Sequence, residues 1–132
     1  MHQVRPAAVA GAFYPGEALS LSQTVKGLLD ACSAATPVSG QPPKALIVPH
    51  AGYVYSGATA AQAYALLAPW RQTIRRVVLL GPVHRVAVRG LALPGVDALA
   101  TPLGEVRVDA VAAEALRQLP QVVSSPAAHA QE

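Results

Sequence analysis

The sequence predicts an α/β domain with a mostly parallel sheet that is flanked by helices. Two short apolar runs, residues 45–48 and 77–80, are each followed within a few residues by a proline and a histidine. An alanine-rich segment of helical character separates the two runs. Because strand, helix and strand in succession usually form a parallel pair with a right-handed crossover, we expect both runs to be buried neighbours in one sheet.

The composition is that of one globular domain. The chain has 132 residues, of which 52% are hydrophobic and 13% charged, so there is ample material for a core. No apolar run approaches the roughly 18 residues that span a bilayer, and the N-terminus lacks a secretory pattern. We therefore expect a cytoplasmic protein with no membrane partner. The single cysteine, Cys32, fits a reducing compartment and is interpreted as a core residue that completes a helical stripe.

The basic residues do not indicate a nucleic-acid surface. The formal net charge is +3, and half of the basic residues lie between positions 71 and 89. These arginines are not interleaved with aromatic side chains on which bases could stack. We interpret them as a solvated surface and expect no nucleic-acid partner.

The first part of the chain is predicted to contain one helix. Residues 4–15 indicate an extended segment that ends in a Pro15-Gly16 turn. Apolar residues at helical spacing then predict a helix over residues 18–34. Residues 36–43 contain three prolines and a glycine, so a loop is expected there.

The predicted strands carry the two histidines. Pro49 ends the first strand and places His50 just beyond its carboxyl end, and Ser56 is expected to cap a helix over residues 57–67. The second strand is followed by His84. Because ligands bind outside the carboxyl ends of parallel strands, we expect both histidines on one rim.

The remaining elements are predicted to be short. A third strand is expected over residues 88–93, a loop over residues 94–104 and an edge strand over residues 105–108. Asp109 is a good N-cap for a helix that continues to Leu119. Since about four strands are few for a sheet covered on both faces, we expect the sequence to be part of a longer protein.

Several short motifs along the chain resemble the N-terminal half of the Memo family, which is also called AmmeMemoRadiSam system protein B. The motifs are Arg5-Pro6, Phe13-Tyr14-Pro15, Pro49-His50-Ala51-Gly52-Tyr53, Tyr55-Ser56-Gly57, Gly81-Pro82-Val83-His84, Thr101-Pro102-Leu103-Gly104 and His129-Ala130-Gln131-Glu132. The resemblance implies a fold like that of class III extradiol dioxygenases, with a metal pocket at the strand ends. Residues 1–132 would then form a single Memo-like domain that corresponds to half of the family's full domain.

The resemblance implies that His50 and His84 are metal ligands and that iron or copper is the cofactor. The residues alone indicate that the pair could share an ion or a substrate. The family's third ligand is a cysteine in its C-terminal half, and Cys32 does not match it. From this sequence the third donor could be Asp97, Glu105 or water.

Five further residues are candidates for the site. Tyr53 and Tyr55 are interpreted as orienting a substrate, although packing over the rim explains them too. Arg85 would attract an anionic substrate, and Thr101 either lines the pocket mouth or only forms a turn. His129 is predicted to be a catalytic proton-transfer group, because an imidazole titrates near neutral pH.

These observations support two functional hypotheses and a third in which the chain is inert. The first is a Memo-like metal-binding protein with a dioxygenase-like, iron- or copper-dependent oxidoreductase site that takes a small-molecule ligand. The second is a non-enzymatic module that binds a peptide or phosphopeptide in the same pocket, with Arg75, Arg76 and Arg85 supplying charge. The third is a fragment whose site is incomplete. The expected protein partner is the missing C-terminal half or a second copy of the chain.

Overall fold

The structure is a computed structural model that describes residues 1–32 and 40–132. The chain divides into two compact units. We call Gly11–Leu79 the helical unit, and we call Met1–Ala10 together with Leu80–Glu132 the sheet unit. The expectation of a single domain stays a prediction.

The described residues of the helical unit form two α-helices and one 3-10 helix. The first helix, α1, is Ala18–Asp30 and begins at the predicted residue. The second, α2, is Tyr53–Tyr64, contacts α1, and continues into a 3-10 helix at Ala65–Trp70. Residues 33–34 of the predicted first helix and residues 36–39 of the predicted loop lie outside the described residues. Cys32 is half-buried and forms no disulfide.

Helix α2 begins four residues before the predicted start, so the prediction that Ser56 is its N-cap is wrong. The N-cap is Gly52, and the main-chain N–H of Tyr53 donates to the Phe13 carbonyl at 2.8 Å. That bond satisfies one of the amide groups that a helix leaves unpaired at its start. Ser56 is buried within the first turn, where its hydroxyl donates to the Ala51 carbonyl at 2.7 Å.

The sheet unit contains two small sheets and two helices. In one sheet β1 pairs with β3 in parallel and β3 pairs with β4 in an antiparallel hairpin, and in the other β2 pairs with β5 in parallel. The α/β class is confirmed, whereas the strand directions are mixed. The elements in chain order are β1 (Val4–Arg5), β2 (Leu91–Leu93), β3 (Ala98–Thr101), β4 (Gly104–Arg107), α3 (Ala110–Arg117), β5 (Val122–Ser124) and α4 (Pro126–His129).

The two apolar runs that were predicted to be buried strands are not strands in the structure. Residues 45–48 and 77–80 have no regular secondary structure. Ile47 is fully exposed, and the four side chains of residues 77–80 are 72–78% exposed. A strand needs a neighbour to pair its N–H and C=O groups, and no described segment pairs with either run. The prediction was therefore wrong because apolar character alone does not supply a partner.

Other predictions for the sheet unit are confirmed in part. The predicted edge strand is β4, which lies at the edge of its sheet, and the third strand is reduced to β2. Asp109 caps α3 as predicted, accepting from the Ala112 N–H at 3.0 Å. Strand β3 formed in a segment predicted to be loop, and Ala98 within it is completely buried. Within the described ranges, no helix is long and apolar enough to cross a membrane.

Candidate functional site

His50 lies at the end of an irregular segment, two residues before the N-cap of α2. Its side chain is exposed. The first turn of α2 then carries Tyr53 and Tyr55, so the local fold places three of the candidate residues around one helix start. This part of the predicted site belongs to the helical unit.

The two tyrosines of α2 have different surroundings. The ring of Tyr53 packs against that of Tyr14, with centroids 5.7 Å apart and planes tilted by 44°. Burial raises the pKa of the Tyr53 phenol, and the neighbouring Tyr14 and Tyr64 hydroxyls raise it further. The Tyr53 hydroxyl is therefore protonated at neutral pH and can donate a hydrogen bond. Tyr55 is 87% exposed, and a role in substrate binding stays a prediction for both residues.

His84 lies in the sheet unit, where it is held by the side chain of Glu132. Its ring Nδ1 is 2.6 Å from Oε2 of Glu132. The main-chain N–H groups of His84 and Arg85 both donate to Oε1, the second at 3.2 Å. These bonds, led by that from the His84 ring, lower the pKa of the Glu132 carboxyl below its ordinary 4.5. Glu132 is therefore ionised at neutral pH.

Arg5 of β1 holds the end of the chain that carries Glu132. Its Nη1 donates to the main-chain oxygens of His129 and Glu132, at 3.0 Å each. The contact is partly buried, and Nε of Arg5 is a buried donor with no partner in the described part of the chain. The arginine of the first family motif therefore joins β1 to the end of α4.

His129 and Thr101 make contacts that support the local fold. Nε2 of His129 lies 2.8 Å from the Ala92 carbonyl oxygen, which only accepts, so this nitrogen carries a proton. The hydroxyl of Thr101 donates to the Gly104 carbonyl at 2.8 Å and accepts from the Leu103 N–H at 3.1 Å, closing the turn between β3 and β4. A catalytic role for His129 and a ligand contact for Thr101 stay predictions.

The two carboxylates that were candidates for a third metal ligand both contact His2. Nε2 of His2 is 3.1 Å from Glu105, and Nδ1 is 3.8 Å from Asp97. Asp97 also accepts from the Gln3 N–H at 2.7 Å. Over residues 1–32 and 40–132, no three His, Cys, Asp or Glu side chains are grouped closely enough to hold a metal ion.

The histidines fit a metal in their chemistry, although they do not complete a donor set. Imidazole nitrogen is a donor that both iron and copper accept. The ionised carboxylate of Glu132 can only accept a hydrogen bond from the His84 ring. In the neutral ring, Nδ1 therefore carries the proton and Nε2 carries the lone pair. His50 belongs to the other unit, and its pairing with His84 stays a prediction.

Three residues with specific contacts were not proposed for the site from the sequence. They are Arg5, Tyr14 and Glu132, and each lies in one of the motifs that carry the family resemblance. The signal in the sequence that could have found these three residues is their position in the family motifs. Their partners are 39 to 127 residues away, so no local pattern points to these contacts.

The chain is similar to Memo proteins over almost its whole length. The family model described as "Memo-like protein" matches residues 5–132. A MEMO1 family protein of Aquifex aeolicus (strain VF5) is 36% identical over 130 residues, which are 98% of this chain and 46% of that protein. Protein MEMO1 is 41% identical in Xenopus laevis and 37% in Homo sapiens, each over 105 residues, which are 80% of this chain and 33% of the relative.

The chain thus spans less than half the length of these relatives. Within that length, the match includes the motifs of His50 and His84 and the residues that hold the His84 ring. On the extent of the family match and the level of identity, the chain belongs to the Memo-like protein family.

Proposed function

We propose that this chain supplies His50 and His84 as imidazole ligands to iron or copper in a dioxygenase-like, metal-dependent oxidoreductase site. One observation carries the proposal. The His84 side chain is 53% exposed, yet its Nδ1 is hydrogen-bonded to a carboxylate. Imidazoles that bind metals commonly donate their other ring N–H to a carboxylate in this way.

The third ligand in this proposal is water or a side chain from the part of the relatives that the chain does not span. Two imidazole ligands alone bind a metal weakly. Catalytic sites typically have three protein ligands and open positions for water or substrate. Iron or copper, when bound, supplies redox chemistry toward dioxygen or a reducing substrate.

The chain's own residues would bind and orient the substrate. Tyr53 keeps its phenolic proton and can donate a hydrogen bond to a substrate oxygen. Arg85 is exposed beside His84 and carries a permanent positive charge, which favours an anionic substrate. Tyr55 adds an exposed ring that can cover an apolar part of the ligand.

Metal binding by the complete 132-residue chain tests the proposal. Equilibrium dialysis against Fe(II) without oxygen, or against Cu(II), should give bound metal that is lost on chelation. We expect His50→Ala and His84→Ala each to weaken metal binding by at least about 10-fold. Removing a residue that only hydrogen-bonds a metal ligand already weakens binding by about that factor.

His2→Ala is the matched control, because His2 is exposed and contacts carboxylates outside the proposed ligand pair. It should bind metal as the wild type does. An equal loss in all three variants would mean non-specific binding to surface imidazoles. Wild-type affinity in both His50→Ala and His84→Ala would contradict the proposal.

The same experiment addresses the peptide-binding hypothesis, which the exposure of Tyr55 and Arg85 supports. A phosphopeptide ligand would be held by charge, and its affinity would survive chelation. Arg85→Gln would then weaken peptide binding, whereas His50→Ala would not. Such a result would favour the binding module over the oxidoreductase.

A further inference from the structure

We propose that Glu132 is a positioning residue that fixes the tautomer and the orientation of the His84 imidazole, so that Nε2 is the nitrogen that binds a metal. This inference rests on the proposed role of His84 as a ligand and adds the residue that prepares it. Glu132 was not a candidate from the sequence, where it is one acidic residue in the last motif.

The carboxylate of Glu132 receives three hydrogen bonds from one short loop. Oε2 faces Nδ1 of the His84 ring, and Oε1 faces the main-chain N–H groups of His84 and Arg85. An ionised carboxylate can only accept, so all three partners must be donors. The neutral His84 ring is therefore the Nδ1–H tautomer, and its lone pair lies on Nε2.

The hydrogen bonds also fix the direction of the ring. One oxygen anchors the main chain of His84 while the other anchors its side chain, so rotation of the ring would break the Nδ1 contact. The Glu132 side chain is only 19% exposed, whereas that of His84 is 53% exposed. The carboxylate is thus less exposed than the imidazole, although the contact between them lies at the surface.

Arg5 determines where the Glu132 carboxylate lies. Its guanidinium binds the main-chain oxygens of both His129 and Glu132, which holds the end of α4 against β1. The partners of Glu132 are 47 and 48 residues away in sequence. By contrast, Glu114 contacts Arg117 within one exposed helix, which is the geometry of an ordinary surface ion pair.

The isosteric variant Glu132→Gln gives a sharp test. Its amide oxygen should take the Oε1 position, because two N–H groups point there and an amide nitrogen would oppose them. The amide nitrogen would then face Nδ1 as a donor. We therefore expect Glu132→Gln to reverse the His84 ring to the Nε2–H tautomer, a change that a merely structural role would not produce.

The tautomer can be read without any metal by ¹⁵N NMR of histidine-labelled protein at pH about 8.5, about two units above the ordinary imidazole pKa. The ¹⁵N signals that disappear in His84→Ala are those of the His84 ring. We expect Nδ1–H in the wild type and in the control Glu114→Gln, and Nε2–H in Glu132→Gln. A wild-type ring in the Nε2–H form would overturn the proposal, even where a Glu132 variant failed to fold.

The second measurement is affinity for Cu(II) alone or for Fe(II) alone. Loss of a residue that hydrogen-bonds a metal ligand typically weakens metal binding about 10- to 100-fold, and we expect this for Glu132→Gln and Glu132→Ala but not for Glu114→Gln. Wild-type affinity in both Glu132 variants would overturn the positioning role. If the wild type bound neither metal, the oxidoreductase proposal would fail, and the tautomer would still decide whether Glu132 sets the ring.

Discussion

Substitution of Gly90 by alanine should strongly destabilise the sheet unit. Gly90 has φ +93°, a conformation that L side chains rarely adopt, and it directly precedes β2. A Cβ at this position would stand 2.2 Å from the main-chain oxygen of Gln121, which is far inside contact distance. The same oxygen accepts the N–H of Leu91 at 2.8 Å, the bond that opens the pairing of β2 with β5.

The magnitude follows from these two effects. A non-glycine residue held in such a conformation costs about 1–3 kcal/mol. Moving the Gln121 carbonyl away from the new methyl group also weakens one backbone hydrogen bond, which is worth about 0.5–1.5 kcal/mol. We therefore expect Gly90→Ala to lower the free energy of unfolding by about 1.5–4.5 kcal/mol.

Two other glycines provide graded controls. Gly104 also has a positive φ, of +121°, but a Cβ there would meet nothing within 4 Å, so Gly104→Ala should cost only the conformational strain of about 1–3 kcal/mol. Gly27 lies inside α1 with open space around it and no positive φ. Gly27→Ala should gain about 0.5–1 kcal/mol, because alanine loses less backbone entropy in a helix.

Urea unfolding followed by circular dichroism gives all three values. The order of stability should be Gly27→Ala above wild type, wild type above Gly104→Ala, and Gly90→Ala lowest. A Gly90→Ala protein as stable as Gly104→Ala would refute the predicted clash with Gln121. A Gly90→Ala protein as stable as the wild type would refute the described pairing at the start of β2.

Three further predictions test other parts of the structure. Asp109→Ala removes the side chain that accepts from Ala112 at the start of α3, and should cost about 1 kcal/mol in urea unfolding; no change would contradict the cap. Burial raises the pKa of Tyr53 above 10.0, so the folded state keeps the phenolic proton longer than the unfolded state and stability should fall as pH rises above 10.0. Tyr53→Phe should reduce that alkaline loss in urea unfolding across the same pH range, and an unchanged pH dependence would count against the assignment. Leu79→Lys replaces a side chain that is 78% exposed, so it should change the free energy of urea unfolding by no more than about 0.5 kcal/mol, and a large loss of stability would show that Leu79 is buried.

The features that the sequence predicted well depend on neighbouring residues. Helical spacing of apolar residues located the start of α1, since that spacing places them on one face of a helix. Asp109 was predicted as a cap because its carboxylate reaches an amide only three residues away. The α/β class was predicted from a strand, a helix and a strand in succession; the class is confirmed, but by the strands of the sheet unit and not by the two apolar runs expected to form them.

Apart from the Ser56 cap, the predictions that failed concerned elements that need a distant partner. Residues 77–80 have the composition of a strand but pair with no described segment. Ala98 in β3 is fully buried, although it lies in residues 94–104, which were predicted to be a loop. Whether a segment forms a strand depends on which other segment offers backbone N–H and C=O groups to pair with it. Small residues such as alanine have little strand propensity, so they do not indicate a strand in the sequence.

The sequence alone determined the family, the α/β class and the identity of the two histidines as candidate ligands. Only the tertiary structure joined Glu132 to His84 and Arg5 to the end of α4. These contacts connect residues 48 and 127 positions apart, so they depend on the path of the folded backbone. A carboxylate has the same chemistry wherever it occurs in a chain, and the donors that the fold places around it decide what it does.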